Sequence, residues 1–299
     1  MSACDIGALA MQCLLQEIDT YPKPGLVSSV DCGSHRDMDA PLLRRSARVL
    51  QPYFADLAAA GAHQASLPHL QAIGRAAEAA MLRETGGINT HRGAIFGLGL
   101  LCAAAALSER DAGAGARALG VWVQDFWAED IAHSPADADS HGARVQRRHG
   151  AGGARAEAVG GFQTLYRVAW PALRRGRELA PGDENAARVQ CCFALIAVTA
   201  DTNVLFRGGA EGLLFAQCAA REFIDSGGVG AAGWLLRAEE IHRAFVHRGL
   251  SPGGCADLLA MSLFLDAWQA RAEHAQALCV QAPPVPVPVP VPGSAAAPA

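Results

Sequence analysis

Over most of its length this chain repeats apolar residues three and four positions apart. Runs that alternate Val, Ile, Thr or aromatic residues with polar ones hardly occur. That periodicity builds one apolar face on a helix and leaves nothing from which to assemble a sheet, so the expected fold is all-α, a compact multi-helix domain. Within Thr90–Ser108, Ile95, Leu98, Cys102 and Ala105 follow helical spacing, and Leu259, Leu263 and Asp266 do so in the segment beginning at Cys255. Both predict largely buried helices. Further helices are predicted near 5–19, 41–60, 67–83, 113–130, 160–179, 184–200, 208–225, 232–247 and 255–278.

With 51% hydrophobic residues in 299, one core is large enough to hold these helices together. The sequence therefore predicts one helical domain over 1–280. A tail over 281–299 follows, in which prolines alternating with valine exclude a helix and point to a disordered or polyproline-like appendage. The stretch His133–Gly153, rich in Asp, Arg and Gly, reads as a surface connection or lid.

Composition removes several functions. A net charge of −4, with arginines interspersed among acids, does not supply the basic face that a nucleic-acid binder needs. No apolar run long enough for a membrane span or an export signal is evident, which predicts a cytoplasmic protein. The nine cysteines are scattered without a C-x-x-C pair, as expected of reduced core thiols and not of a zinc or iron–sulfur site. Gly228–Gly233 fits G-x-G-x-x-G, but no strand precedes it, so it is not a dinucleotide fingerprint.

Five segments interrupt the helical pattern with Gly or Pro and dense polar chemistry. They are Tyr21–Met38, Gly86–Gly93, Ala154–Ala158, Asp201–Gly209 and Leu250–Asp257. Glycines such as Gly25, Gly93, Gly208, Gly209, Gly253 and Gly254 let a backbone approach a ligand, and free N–H groups at helix starts attract anions. Such loops suit a polyphosphate. Arg92, Arg155 and Arg207 can add bidentate phosphate contacts, and Asp31, Asp37, Asp201 and Asp257 can hold Mg²⁺ against phosphate oxygens. Each segment also fits a plainer description, in which Ser, Asp and Asn cap helices and the arginines pair with acids.

Lys23 is the only lysine, beside 24 arginines, which suggests a place where a compact ammonium is needed. His35 and His91 are candidates for donating to phosphate or moving a proton. Glu157 is the preferred general base, since a carboxylate near Arg155 stays ionised.

In order, P-K-P-G-L-V, G-S-H-R-D-M, G-I-N-T-H-R-G-A-I-F, A-R-A-E-A, D-T-N-V-L-F-R-G-G and L-S-P-G-G-C-A-D-L-L-A resemble the triphosphoribosyl-dephospho-coenzyme A synthase family, from about Pro22 to Leu259. The resemblance implies a helical transferase that joins ATP to 3′-dephospho-CoA and releases adenine. The product is the precursor of the prosthetic group on the acyl carrier subunit of citrate lyase or malonate decarboxylase, to which a separate holo-transferase delivers it. G-S-H-R-D-M-D is closer to the malonate decarboxylase branch. Two positions depart from the family pattern: Ser28 stands where Asp is usual, with Asp31 a candidate replacement, and Ala156 stands where Gly is usual between Arg155 and Glu157.

Displacing adenine from an anomeric carbon passes through an oxocarbenium-like transition state, which carboxylates stabilise. The resemblance thus assigns Glu157 or Asp201 to hydroxyl activation, Asp37, Asp257 and Asp31 to Mg²⁺, and His35 or Asn203 to adenine or ribose. Lys23, Gly25, Asn89, His91, Arg92, Gly93, Arg155, Arg207, Gly208, Gly209, Ser251, Gly253 and Gly254 go to the phosphates. A kinase or phosphohydrolase would use the same groups but yield ADP or phosphate. A non-catalytic carrier-binding module would turn over no nucleotide.

Overall fold

A computed structural model describes residues 1–111, 117–134 and 152–281. The proline–valine tail beyond Gln281 and most of the glycine-rich stretch between α5 and α6 lie outside the described residues. The helices are α1 (Ala3–Asp19), α2 (Ala40–Ala62), α3 (Leu67–Glu84), α4 (Arg92–Arg110), α5 (Leu119–His133), α6 (Gly153–Val159), α7 (Trp170–Leu179), α8 (Glu184–Val198), α9 (Thr202–Asp225), α10 (Trp234–His247) and α11 (Gly253–Gln281). A π turn over Leu165–Ala169 leads into α7, and a 3₁₀ turn over Gly228–Gly230 joins α9 to α10. Among the described residues there is no strand. The all-α expectation holds, and the G-x-G-x-x-G match belongs to the α9–α10 connection.

Helix starts follow the local sequence. Ser2 and Asp5 form a reciprocal capping box on α1, Asp39 caps α2 ahead of Pro41, and Asp183 caps α8. α4 is the hub of the core, with Leu98, Leu101 and Cys102 fully buried between α2 and α11. Its length and hydropathy would suffice to cross a membrane, but it is buried inside the protein. α2 crosses α4 so closely that a Cβ on Gly61 would lie 2.3 Å from the carbonyl oxygen of Ala103; only glycine permits that approach.

Two helix expectations need correction. The segment predicted as a single helix over 160–179 is divided, because Gly161 and the buried Phe162 both adopt positive φ and turn the chain before the π turn. Residues 202–207, expected to be loop, are helical: the Asp201 carboxylate accepts the N–H groups of Asn203 and Val204 and starts a turn. Gly209 (φ 62°, ψ −160°) then breaks α9, so the glycine pair bends a helix where a ligand cradle was expected.

Candidate functional site

A cavity of about 1210 Å³ is lined by the end of α1, by α2, α3 and α4, and by the starts of α6, α9 and α11. Pockets for one drug-sized molecule run to about 300–1,000 Å³. This one therefore has room for more than one such ligand. Four of the five polar segments reach it with their central residues, and the fifth, Tyr21–Met38, reaches it through Leu26, Val27, His35 and Met38.

At one part of the wall, the His35 ring meets Ser251 through Nε2 at 2.9 Å. Arg207 donates to the carbonyls of Ser34 (3.2 Å) and Gly249 (3.1 Å) and lies 3.4 Å from Nδ1 of His35. Burial, then the neighbouring guanidinium, lower the pKa of His35 and favour the neutral ring.

On the α4 side, Asn89 caps the helix by accepting the N–H of Arg92 at 3.2 Å, and Arg92 forms an ion pair with Glu78 of α3. His91 is buried, its Nδ1 2.8 Å from the Ser46 hydroxyl, which also meets Thr90 at 2.7 Å. Burial, then the charge of Lys23, push its pKa down to about 4. The ring is thus neutral at pH 7 and brings no positive charge to a phosphate, while its remaining N–H donor capacity is kept.

The acids divide into those occupied by the scaffold and one that is largely free. Asp201 is buried; one carboxylate oxygen holds the first turn of α9 and the other accepts the Cys255 N–H of α11 at 2.9 Å. Its pKa is raised by burial, against the pull of those N–H groups. Asp257 lies against the start of α4, where it accepts the Ala94 N–H, and burial together with the charges of Glu17 and Asp201 raises its pKa well above the usual range. Glu157 lines the cavity and, among the described residues, accepts only the Thr164 hydroxyl, at 2.6 Å through Oε1. The Gly160–Phe162 turn brings Thr164 back to it; Phe162 donates its N–H to the Glu157 carbonyl at 2.6 Å while held at φ 56°, a backbone conformation that a buried aromatic adopts only when its surroundings impose it.

Asn203, Gly253 and Gly254 line the cavity beside these acids, and Gly93 does so against Asp257. Arg155 also lines it, yet its guanidinium donates to the carbonyls of Ile131 and Ser134 (2.6 Å to the latter), tying α6 to the end of α5. Ala156 sits in regular helix, where the family's usual glycine is not required.

Six expected site residues do not line the cavity: Lys23, Gly25, Asp31, Asp37, Gly208 and Gly209. Lys23 is fully buried, its ammonium donating to the Glu17 carbonyl at 2.6 Å and to the Glu17 carboxylate. The compact cation is needed, but for burial and not for phosphate. Gly25 (φ 68°) and Gly208 pack against Leu250, where a side chain on either would collide. Asp31 pairs with Nε2 of His242 at 3.1 Å, so it does not replace the acid absent at Ser28. Asp37 is 61% exposed on the outer side of His35, so Asp31, Asp37 and Asp257 do not converge. Among the described residues no group of three or more His, Cys, Asp or Glu side chains forms a metal cage.

Sequence reasoning passed over Glu17, Glu78, Arg75 and Thr164, all of which line the cavity or support it. Glu17 had a visible signal, an acid on the apolar face of α1 in register with Ile6, Ala10, Cys13 and Leu14.

A family model described as ATP:dephospho-CoA triphosphoribosyl transferase matches residues 3–276. The chain belongs to this family. Among curated relatives, a probable 2-(5''-triphosphoribosyl)-3'-dephosphocoenzyme-A synthase of Stutzerimonas stutzeri is 41% identical over 263 residues, covering 86% of this chain and 89% of that protein. Proteins of the same name from Pseudomonas aeruginosa (strain UCBPP-PA14; 43% over 266 residues, 86% and 88% covered) and Pseudomonas putida (41% over 267 residues, 87% and 93% covered) are similar along nearly their whole length. No solved structure matches. The matched span of this triphosphoribosyl transferase family member contains every residue that lines the cavity.

Proposed function

We propose that this protein joins ATP to 3′-dephospho-CoA, with the 2′-hydroxyl of the acceptor ribose attacking the anomeric carbon of the ATP ribose and adenine departing. Family membership supplies the reaction class. The observation that carries the reading to this chain is the cavity of about 1210 Å³ on which the separated polar segments converge, spacious enough for two nucleotides at once.

Within it, Glu157 takes the proton of the attacking hydroxyl, because Asp201 and Asp257 spend oxygens on helix N–H groups whereas Glu157 is held, among the described residues, only by Thr164. The new bond joins the acceptor oxygen to the anomeric carbon as the bond to adenine breaks, and the departing base is protonated or hydrogen-bonded from the His35–Ser251–Asn203 wall. Arg92 and Arg207 face the phosphates, whose charge the neutral His91 does not balance.

The donor set fits a Mg²⁺ that arrives on the nucleotide better than a resident ion. Of the candidate metal carboxylates Asp201 and Asp257 line the cavity, Asp201 with both oxygens on helix N–H groups, and nucleotide-bound Mg²⁺ takes one or two carboxylates beside phosphate oxygens. When bound, the ion would neutralise charge on the triphosphate.

The G-S-H-R-D-M-D wording supports a role in making the prosthetic group of a malonate decarboxylase acyl carrier subunit.

The test is chromatography of protein incubated with ATP, Mg²⁺ and 3′-dephospho-CoA. Adenine release that requires the second substrate, with a product heavier by a triphosphoribosyl group, is the expected result. ADP or phosphate in place of adenine would sink the reading.

A further inference from the structure

α3 and α4 form a trough in the cavity whose character changes along its length. Towards the loop that joins the two helices, Arg75 and the Glu78–Arg92 ion pair line the wall; farther along them come Gly74 and Leu70 on α3 and Phe96 and Leu100 on α4. Since α3 runs towards the loop from which α4 starts, both helices pass from charged to apolar in the same direction. At about 1.5 Å per residue, Arg92 to Leu100 spans roughly 12 Å.

Three observations set this trough apart from core packing. Gly74 lies inside α3 with helical backbone, and a Cβ there would meet nothing within 4 Å, so neither backbone conformation nor packing calls for glycine. Glycine at such a place weakens a helix by about 0.5–1 kcal/mol relative to alanine, while leaving the wall open. Arg75 makes no ion pair or hydrogen bond with any described residue, in contrast to Arg92, Arg155 and Arg207. Gln71, one residue from Leu70 on the cavity wall, likewise has no hydrogen-bond partner among the described residues and presents an amide donor and acceptor.

An arm that is largely apolar, carries amides and ends in a diphosphate matches that order of groups. Of the two substrates in the proposed reaction, on which this step rests, dephospho-CoA has such an arm, its pantetheine, and ATP does not. We propose that the α3–α4 trough binds the pantetheine arm of dephospho-CoA, with Gln71 on its amides and Arg75 on its diphosphate, and so tells acceptor from donor nucleotide.

The test compares calorimetric binding of dephospho-CoA with that of ADP, which is the same molecule without pantetheine. Wild type should prefer dephospho-CoA by at least about tenfold, the scale that pocket contacts of this kind give. Gly74→Leu fills the open wall and should abolish that preference while leaving ADP and ATP affinity within about twofold. Gln71→Ala, which adds no bulk, should reduce the preference by about threefold, and Arg75→Ala should weaken dephospho-CoA and ADP together. Thermal melting verifies folding; Gly74→Leu should melt no lower than wild type.

Loss of ATP affinity in Gly74→Leu, or an unchanged preference for dephospho-CoA in both Gly74→Leu and Gln71→Ala, would overturn the assignment. Because binding is read without turnover, the two readings fail separately. Adenine release with a preference indifferent to Gly74 and Gln71 rejects the trough alone, whereas a Gly74-dependent preference without adenine release rejects the transferase chemistry alone.

Discussion

Lys23 and Glu17 show what a single residue can mean in a chain with one lysine. Both are buried, and each is the other's charge partner, so removing one strands the other in the core. Burial raises the pKa of Glu17 against the pull of Lys23. Lys23→Met should therefore cost about 3–5 kcal/mol, as for other broken buried pairs, and Glu17→Gln combined with Lys23→Met should recover much of it. Urea denaturation measures both. A Lys23→Met protein of wild-type stability with a raised KM for ATP would instead restore Lys23 to the phosphates.

His91 makes a second residue-scale prediction, this time about pH. Its folded pKa is about 4, below the 6.5 of the free side chain, so the unfolded chain binds the proton more readily. The stabilisation from keeping this ring neutral is complete above pH 6.5 and is lost as pH falls through the interval down to about 4, amounting to about 3 kcal/mol in all. Glu17, Asp201 and Asp257 have raised pKa values and act in the opposite direction, so the measurement is a difference between proteins. The stability gap between wild type and His91→Gln should shrink by about 2–3 kcal/mol between pH 7 and about pH 4.5. A gap independent of pH would show that His91 titrates normally.

Elements, unlike residues, were mostly legible in the sequence. The three- and four-residue spacing of buried positions such as Leu98, Leu101 and Cys102 marks helices wherever one face meets the core. What the spacing could not convey was the junctions. Asp201 reads equally as a base, a metal ligand or a cap until the start of α11 is seen docked on its second oxygen. Gly208 and Gly209 read as a phosphate loop until Asp201 is seen to wind the preceding residues into helix. Lys23 and Asp31 lie in the right segment but point at Glu17 and His242, partners distant or unremarkable in sequence.

The junction reading has its own consequence. Asp201→Ala should lower stability by about 2–4 kcal/mol, since it uncaps α9 and leaves the buried Cys255 N–H without its carboxylate. Glu157→Gln should stay within about 0.5 kcal/mol of wild type while kcat falls about 100-fold or more. Denaturation and steady-state assays on the same two proteins decide it; the reverse pattern would exchange their roles.

On the scale of the whole molecule, the cavity belongs to no single part of the chain. His35, Arg92 and Gln71 come from the first four helices and their connections, and Glu157, Arg207 and Asp257 from the last six, packed into one core around α4. Such a site comes into being only when the fold is complete, which suits a reaction that must hold two flexible, highly charged nucleotides in register. If both occupy the cavity together, the acceptor hydroxyl attacks the donor ribose directly and no ribosyl group rests on the protein. Initial rates with both substrates varied should then give intersecting double-reciprocal lines, and adenine should not appear in a burst when ATP is supplied alone. Parallel lines with a burst of adenine stoichiometric with enzyme would mean a covalent ribosyl intermediate. Glu157, the carboxylate least engaged by the scaffold, would then be its nucleophile and not its base, and the same cavity would be visited by the two nucleotides in turn.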